Sequence, residues 1–498
     1  MKMTSPKLNT SHLTANEEAL IRCQTALELK DRSDYEGVRE VMRPLWSRVG
    51  DPPEISGLHA SVSAEVLLCV GVLTGWFGSK EGVEQAQEAA KNLISESVTF
   101  YDSIGDKRKV AAARVELAIC YWREGALNEA RIMFNDALQE LTTAGNTRAH
   151  AILRLAILEW SASRNHEALR ILTENSFLFQ RISNVALKGS YHNQLAIVFI
   201  ELAKSENRED YLQNSIREYQ EADAHFKLAH NIVFRANVKN NVGNVLRQMA
   251  RFTEAHKYLG EARRLMAGLK DKVGTAQVDD TRAQVFIAEK KFAEAERVAR
   301  SAVWSLERSG RQCLLADALI THGIALARMG QPERAQAVFE RAMDVAHQVG
   351  ALNKAGLAAL TLIEELDPAA TKTVCLAFDR ASEWLEESQS EELLRRVTKA
   401  ARKVFARLHG ELDPEQAMDT LLDPAHGLHS EADLHSQVLN FERKLIRHAL
   451  ARANGRVTRA ASLLGTSYQG LAYIIGSRHK DLLKERSPVR PRTRRHGE

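Results

Sequence analysis

The stretch GIALARMGQPERAQAVFERAMDVA, residues 323–346, decides the fold. The small Gly323 is followed by Leu326 three residues on, by the small Ala335 twelve on, by Phe339 four later and by Ala342 three after that. Gly330 falls where one helix would end and a sharp turn begin. Two helices of a hairpin approach closely only where their facing side chains are small, and the bulky residue fills the gap to the next hairpin. One hairpin leaves a face unburied, so such a unit needs neighbours to stack on.

The pattern recurs. Ala118, Tyr121, Ala130, Phe134 and Ala137 follow it, with Gly125 at the turn, as do Gly243, Leu246, Ala255, Leu259 and Ala262. Ala283, Phe286, Ala295 and Ala302 follow it with the small Ala299 in the fourth place. Ala156, Ala168 and Leu172 are a weaker copy, and Ala196, Phe199, Tyr219 and Ala222 hold an extra seven residues around SENREDY. The first small residues fall at 118, 156, 196, 243, 283 and 323, spaced by 38, 40, 47, 40 and 40. Six in-phase copies resemble the tetratricopeptide repeat in a long-helix form with a period near forty. The resemblance covers roughly 108–350 and extends in degenerate form over 1–107 and 351–410. It implies an all-α superhelix of stacked hairpins.

In such repeats the first helix of each pair lines the concave side. In the repeat containing Gly243 that helix reads RANVKNNVGNVLRQM, which puts Asn237, Asn240, Asn241, Asn244 and Arg247 on one helical face or its flanks. His192 and Asn193 stand on the neighbouring first helix on one side, Asp280 and Gln284 on the other. Asparagine is a poor helix former, so four of them in eight residues cost stability. Their amides can pair with an extended backbone, so these residues are a candidate groove for a peptide or protein. The plain alternative is a solvated polar face.

Charge divides the chain. The formal net charge is only +4, yet residues 436–498 carry 14 Lys/Arg against 4 Asp/Glu. Residues 411–435 hold seven acidic residues and no Lys or Arg, which reads as an acidic linker. A basic terminal module suits a polyanion partner. His426, His429 and His435 lie in that linker beside Asp423, Glu431 and Asp433, which reads as a solvated segment with no metal.

The basic end holds GRVTRAASLLGTSYQGLAYIIGSRHKDLL, residues 455–483. Periodicity predicts helices at about 440–453, 457–464 and 468–478. Phe441, Leu445, Ile446 and Leu450 form the apolar stripe of the first, with the small Ala449 among them. Ala461 lets the third helix cross the second, Gly465 makes the turn, Ser467 is a good N-cap, and Leu471 and Ile474 are expected to pack inward. The TRAASLLG core with its cap serine resembles the helix-turn-helix of the Fis family, over roughly 437–484. That resemblance implies a three-helix domain (436–486) whose third helix enters the major groove. Ser467, Tyr468, Gln469, Ala472 and Tyr473 would face DNA, with Gln469 suited to adenine. Thr458 and Arg459 would meet phosphate, and Arg478, His479 and Lys480 would follow the backbone. One departure stands out: Tyr468–Ser477 carries no charge. Beyond it, Arg490, Arg492, Arg494 and Arg495 sit in a proline-broken basic tail (487–498), expected to be disordered and to lie along phosphates or in a narrow minor groove.

Composition excludes several classes. At 44% hydrophobic and 27% charged residues, the chain reads as an ordinary folded protein. The five cysteines form no CxxC pair, and the N-terminus lacks the apolar core of a signal peptide. The uncharged run Val66 to Ser79 is too short to span a bilayer, so a cytoplasmic protein with no membrane partner is expected. No GxxxxGK[ST], HExxH or GxSxG occurs, and neither catalysis nor a cofactor is expected. The whole chain looks like bacterial proteins that join a repeat array to such a terminal domain. The resemblance implies a transcriptional regulator on duplex DNA, with a homodimer formed through the 440–453 helix. The alternative is a protein-docking scaffold that uses Tyr468, Tyr473 and Ile475.

Overall fold

The computed structural model describes residues 12–366, 371–386, 388, 390–408 and, toward the C-terminus, 439–485 apart from 440, 441, 444, 448, 451, 452, 454, 465 and 467. The described residues form α-helices and one short 3-10 segment, with no strand among them. The chain divides into two compact units, Met1–Val397 and Thr398–Glu498. The acidic linker, Ser467 and the tail arginines Arg490, Arg492, Arg494 and Arg495 lie outside the described residues.

Unit 1 is a stack of helical hairpins. α1 (Ala15–Asp31) pairs with α2 (Tyr35–Met42), and α3 (Ala60–Glu81) with α4 (Ala86–Ser103). The repeats with full spacing follow: α5 (Lys107–Arg123) with α6 (Leu127–Glu140), and α7 (Asn146–Ser161) with α8 (Asn165–Glu174), after which comes the short α9 (Ser176–Arg181). Next are α10 (Val185–Glu206) with α11 (Glu209–Leu228), α12 (Ile232–Gln248) with α13 (Phe252–Gly268), α14 (Lys272–Ala288) with α15 (Phe292–Glu307), and α16 (Gln312–Arg328) with α17 (Pro332–Gln348). α18 (Leu352–Glu365) and α19 (Thr371–Trp384) add a further pair, and α20 (Glu391–Leu408) brings Arg396 onto Glu364 and Thr361 of α18. First helices stack on first helices, α12 on α14, α14 on α16 and α16 on α18, so they share one side of the superhelix.

The small residues act as expected. A Cβ on Gly243 would stand 2.5 Å from Leu259 Cγ, and one on Gly323 would stand 2.6 Å from Phe339 Cε1. The first small residue and the larger one sixteen positions later are thus the hairpin's contact pair. Leu246 and Leu326 are buried, while Tyr121, Phe199 and Phe286 are half-buried between hairpins. The SENREDY insertion lengthens the hairpin it falls in: α10 has 22 residues and α11 has 20, against 17 in both α12 and α13.

Helix ends repeat every twenty residues. His230, Ala250, Lys270, Lys290, Gly310, Gly330 and Gly350 all take positive φ. Arg251 N–H then reaches back to the Leu246 carbonyl and Gln331 N–H to Leu326, closing off helix carbonyls that would otherwise lack partners. Asp106, Asn184, Asn231 and Asp271 cap the following helices with side-chain oxygens.

α3 is longer than the uncharged run within it. Its 22 residues are long and apolar enough, by length and composition, to cross a membrane, yet most of its apolar window is buried against neighbouring helices.

Unit 2 builds its core from Ile446, Ala449, Leu450, Ala453, Val457, Ala460, Ala461, Leu471, Ile475 and Leu482. Helical residues between 442 and 450 precede α21 (Val457–Leu463) and α22 (Tyr468–Ser477), and a 3-10 segment covers Lys480–Glu485. Gly455 turns the chain with φ 74°. Two expectations change. Leu445 is 46% exposed and so leaves the stripe, because Ile446 and Ala449–Leu450 already fill that face. Ile475 is fully buried while Ile474 lies at the edge of the core, since Leu471 and Ile475, one turn apart, are the residues of α22 that face inward.

Candidate functional sites

In unit 2, the side of α22 opposite Leu471 and Ile475 is open. Tyr468 and Tyr473 are 47% and 71% exposed, Gln469 is exposed and Ala472 is half-buried. Thr458 and Arg459 are exposed at the start of α21, and Lys480 is exposed beyond α22. Arg478 is exposed, with Nη1 3.3 Å from Glu442 Oε1. His479 is not on this surface, which corrects the sequence expectation. It is 3% exposed, with Nε2 2.8 Å from Glu442 Oε2, because the chain turns inward after α22 to seat Leu482 in the core. Arg447 reaches Asp481 at 3.2 Å, a second tie between the same segments. Burial of Ile475 also removes it from any docking surface.

In unit 1, the expected groove residues separate into two groups. His192 turns to its hairpin partner, with Nδ1 2.7 Å from Glu218 Oε2, and its ring stacks on His225 at 5.4 Å. Asn241 stands beside the buried Tyr219 of α11. Those two are structural, because their positions face the second helix. The others gather on the stacked first helices. Asn244 Oδ1 accepts from Arg247 Nε and Nη2 at 3.1 and 2.9 Å. Gln284 Nε2 donates to Asp280 Oδ2 at 3.0 Å, and Thr321 stands close to the same carboxylate. Burial pushes the Asp280 carboxyl up to about 6 and pulls the Arg247 guanidinium below its ordinary value. Asn240 Oδ1 and Asp280 Oδ1 are buried without a hydrogen-bond partner among the described residues. Asn237 is exposed, and Asn193 lies further along, in the wall of a cavity.

Register explains where the polar patch falls. One residue after each first small position stand Ile119, Ile157, Ile197, Asn244, Gln284 and Ile324. Three residues before it stand Val115, Leu153, Asn193, Asn240, Asp280 and Ile320. At these two positions the first helices are therefore apolar early and late in the array, apart from Asn193 on α10, and polar on α12 and α14. Two residues before the small position stand Glu116, Arg154, Gln194, Asn241, Thr281 and Thr321, polar in every repeat. That row is a signal in the sequence that the repeat spacing alone does not single out. Glu116, Arg154 and Gln194 line a cavity of about 780 Å³ bordered by α1, α3, α5, α7, α10 and α12.

Comparison with known proteins bears on each unit separately. Residues 438–473 match the family model described as "Bacterial regulatory protein, Fis family". No curated protein matches the chain. Solved structures with a similar fold include the yeast Tom70, at 14% identity and a TM-score of 0.45, covering 83% of this chain and 79% of that one. A Rap protein complexed with competence and sporulation factor has 13% identity and a TM-score of 0.43, covering 68% and 98%. The apo quorum sensor NprR from B. thuringiensis has 11% identity and a TM-score of 0.40, covering 77% and 99%. The described residues thus form an all-α array of stacked helical hairpins, followed by a C-terminal segment that matches the Fis-family regulator model.

Proposed function

We propose that the protein is a DNA-binding transcriptional regulator whose helix-turn-helix reads duplex DNA and whose array holds a peptide or protein partner on α12 and α14. The observation that carries the reading is the open face of α22 within a segment matching a Fis-family regulator. Gln469 stands near its start, where it can make paired hydrogen bonds to adenine. The tyrosines supply apolar contact to thymine methyl groups and hydroxyls to phosphate. Thr458 and Arg459 anchor the backbone, and Lys480 extends the basic track. The exposed Leu445, on the helix before α21, supports dimerisation through that helix and a palindromic site. For the array, the support is the pair of orphaned acceptors, Asn240 Oδ1 and Asp280 Oδ1, beside Arg247. An extended peptide offers backbone N–H donors for such acceptors.

The test is a titration of the full chain against a bound duplex. Arg459→Ala is expected to weaken binding on all sequences and to lower the salt slope by about one. Gln469→Ala is expected to relax preference at one base pair, by about 1–3 kcal/mol. Equal loss on every sequence from both variants would remove the base-reading role from α22.

A further inference from the structure

Where its N-terminal hairpins meet the middle of the array, unit 1 holds a partly open chamber. Asn231 Nδ2, at the start of α12, donates to the Asp31 carbonyl at the end of α1 at 2.7 Å, across 200 residues of sequence. The Arg311 guanidinium donates to the Lys80 carbonyl of α3. These contacts bring the N-terminal hairpins against the middle of the array and leave a cavity of about 780 Å³ between them. That volume is within the ordinary range for small-molecule sites. Much of the wall is apolar, with Leu27, Trp76, Leu153, Phe226 and Phe234 among its side chains.

The wall carries three carboxylates, Asp31, Glu65 and Glu116, against three cations, Lys30, Arg123 and Arg154, and Lys109 from outside it takes up one of the carboxylates. Lys30 lies 3.2 Å from Asp31, and Lys109 lies 2.6 Å from Glu65, so those carboxylates are answered. Two guanidiniums, Arg123 and Arg154, then face Glu116, which also lies 3.5 Å from His150 Nδ1, while Asp31 acts on Arg154 as well. His150 does not alter this: its Nε2 accepts from Arg154 Nε at 3.0 Å, and burial drives it down to about 3, so it is neutral at pH 7. The Arg123 guanidinium makes no hydrogen bond or ion pair with the described residues, and a Cβ on Gly75 would stand 2.9 Å from its Nη1, so the glycine keeps room for the charge. Burial lowers both arginines, and each pays part of its desolvation without a dedicated partner. Gln194, 4% exposed, also lines the chamber, and its Nε2 donor is buried and unsatisfied. Two cationic forks and an orphaned amide donor in an apolar room form an acceptor-shaped deficit.

We propose that this chamber binds a small organic monoanion, an apolar body ending in a carboxylate held by Arg123, Arg154 and the Gln194 amide. Glu116 competes for the same guanidiniums and limits the site to one negative charge. The site is distinct from the α12–α14 patch and does not depend on the DNA reading. A fork-to-carboxylate pair accounts for why arginine rather than lysine stands here.

The test uses calorimetric titration of the full chain with octanoate, with 1-octanol as the neutral counterpart. A second arm uses the tetrapeptide acetyl-Leu-Phe-Val-Leu with a free C-terminus. Octanoate is expected to bind saturably and at least tenfold more tightly than octanol. Arg154→Met should lose at least tenfold in octanoate affinity while its melting temperature without ligand stays level or rises, since an under-paired buried charge is removed. Glu116→Gln should gain affinity. Equal binding of octanoate and octanol, no saturable octanoate binding, or unchanged affinity in Arg154→Met would overturn the proposal. Binding by the tetrapeptide alone would assign the chamber to a peptide terminus and overturn it likewise.

Discussion

The His479 imidazole, with Nε2 2.8 Å from Glu442 Oε2, pins the segment after α22 to the helical residues that precede α21. His479 is therefore a structural residue in a position where a DNA contact was expected. His479→Ala should destabilise unit 2 by about 1–3 kcal/mol, from the lost packing of a buried ring and the lost hydrogen bond to Glu442. Hydrogen exchange of the α22 amides measures this. Normal protection together with weakened DNA binding would instead return His479 to the interface.

Two glycines should respond with opposite signs. Gly243→Ala places a methyl 2.5 Å from Leu259 Cγ, in a contact with no slack, and should cost about 1–3 kcal/mol. Gly260 lies inside α13, and a Cβ added there would meet nothing within 4 Å, so Gly260→Ala should add about 0.5–1 kcal/mol from backbone entropy alone. Chemical denaturation of the two variants decides. The same sign for both would contradict the close-approach account of the repeat.

Ala250 takes φ 54° at a helix end where Gly310, Gly330 and Gly350 occupy the equivalent places. Ala250→Gly should raise stability by about 0.5–1 kcal/mol, because the left-handed conformation costs alanine and not glycine. A lower denaturation midpoint would show that the turn does not hold this conformation in solution.

Asp280 gives a pH signature. Its folded carboxyl is raised to about 6 from an ordinary 3.8, so between those values the folded state binds the proton and the unfolded state does not. Stability from this group is thus fully present below about pH 4 and falls as pH rises to about 6. At pH 7 the penalty is of order 2–3 kcal/mol. Asp280→Asn keeps the Gln284 and Thr321 partners in reach and should stabilise the protein at pH 7, with the gain fading toward pH 4. A gain independent of pH would mean that the carboxylate is not the cause. A peptide donor on the orphaned Oδ1 should lower the carboxyl's pKa and shrink the same penalty.

Much of the array is legible in the sequence because close packing leaves a mark in residue size. Gly323 with Phe339 and Gly243 with Leu259 stand at fixed spacing, and that spacing alone locates the hairpins from α5 to α17. Helix ends are half legible. Gly125 and Gly330 announce turns, but His230, Lys270 and Lys290 take the same conformation with no glycine to mark it. The chamber is hidden for a different reason. Asn231 meets Asp31 only after the superhelix has turned, and no local pattern encodes a contact across 200 residues. In unit 2, the neighbouring Ile474 and Ile475 are equally apolar, and only the crossing of α22 over Ala461 decides that Ile475 goes inside.

The central claim is that α22 reads sequence with an uncharged face. The most direct measurement is selection by the full chain from a pool of random duplexes, repeated with Gln469→Ala. The account predicts an enriched, palindromic motif with steep salt dependence, and loss of preference at one position in each half-site with the variant. Recovery of no motif, with Tyr473→Ala abolishing capture of a protein partner instead, would contradict it.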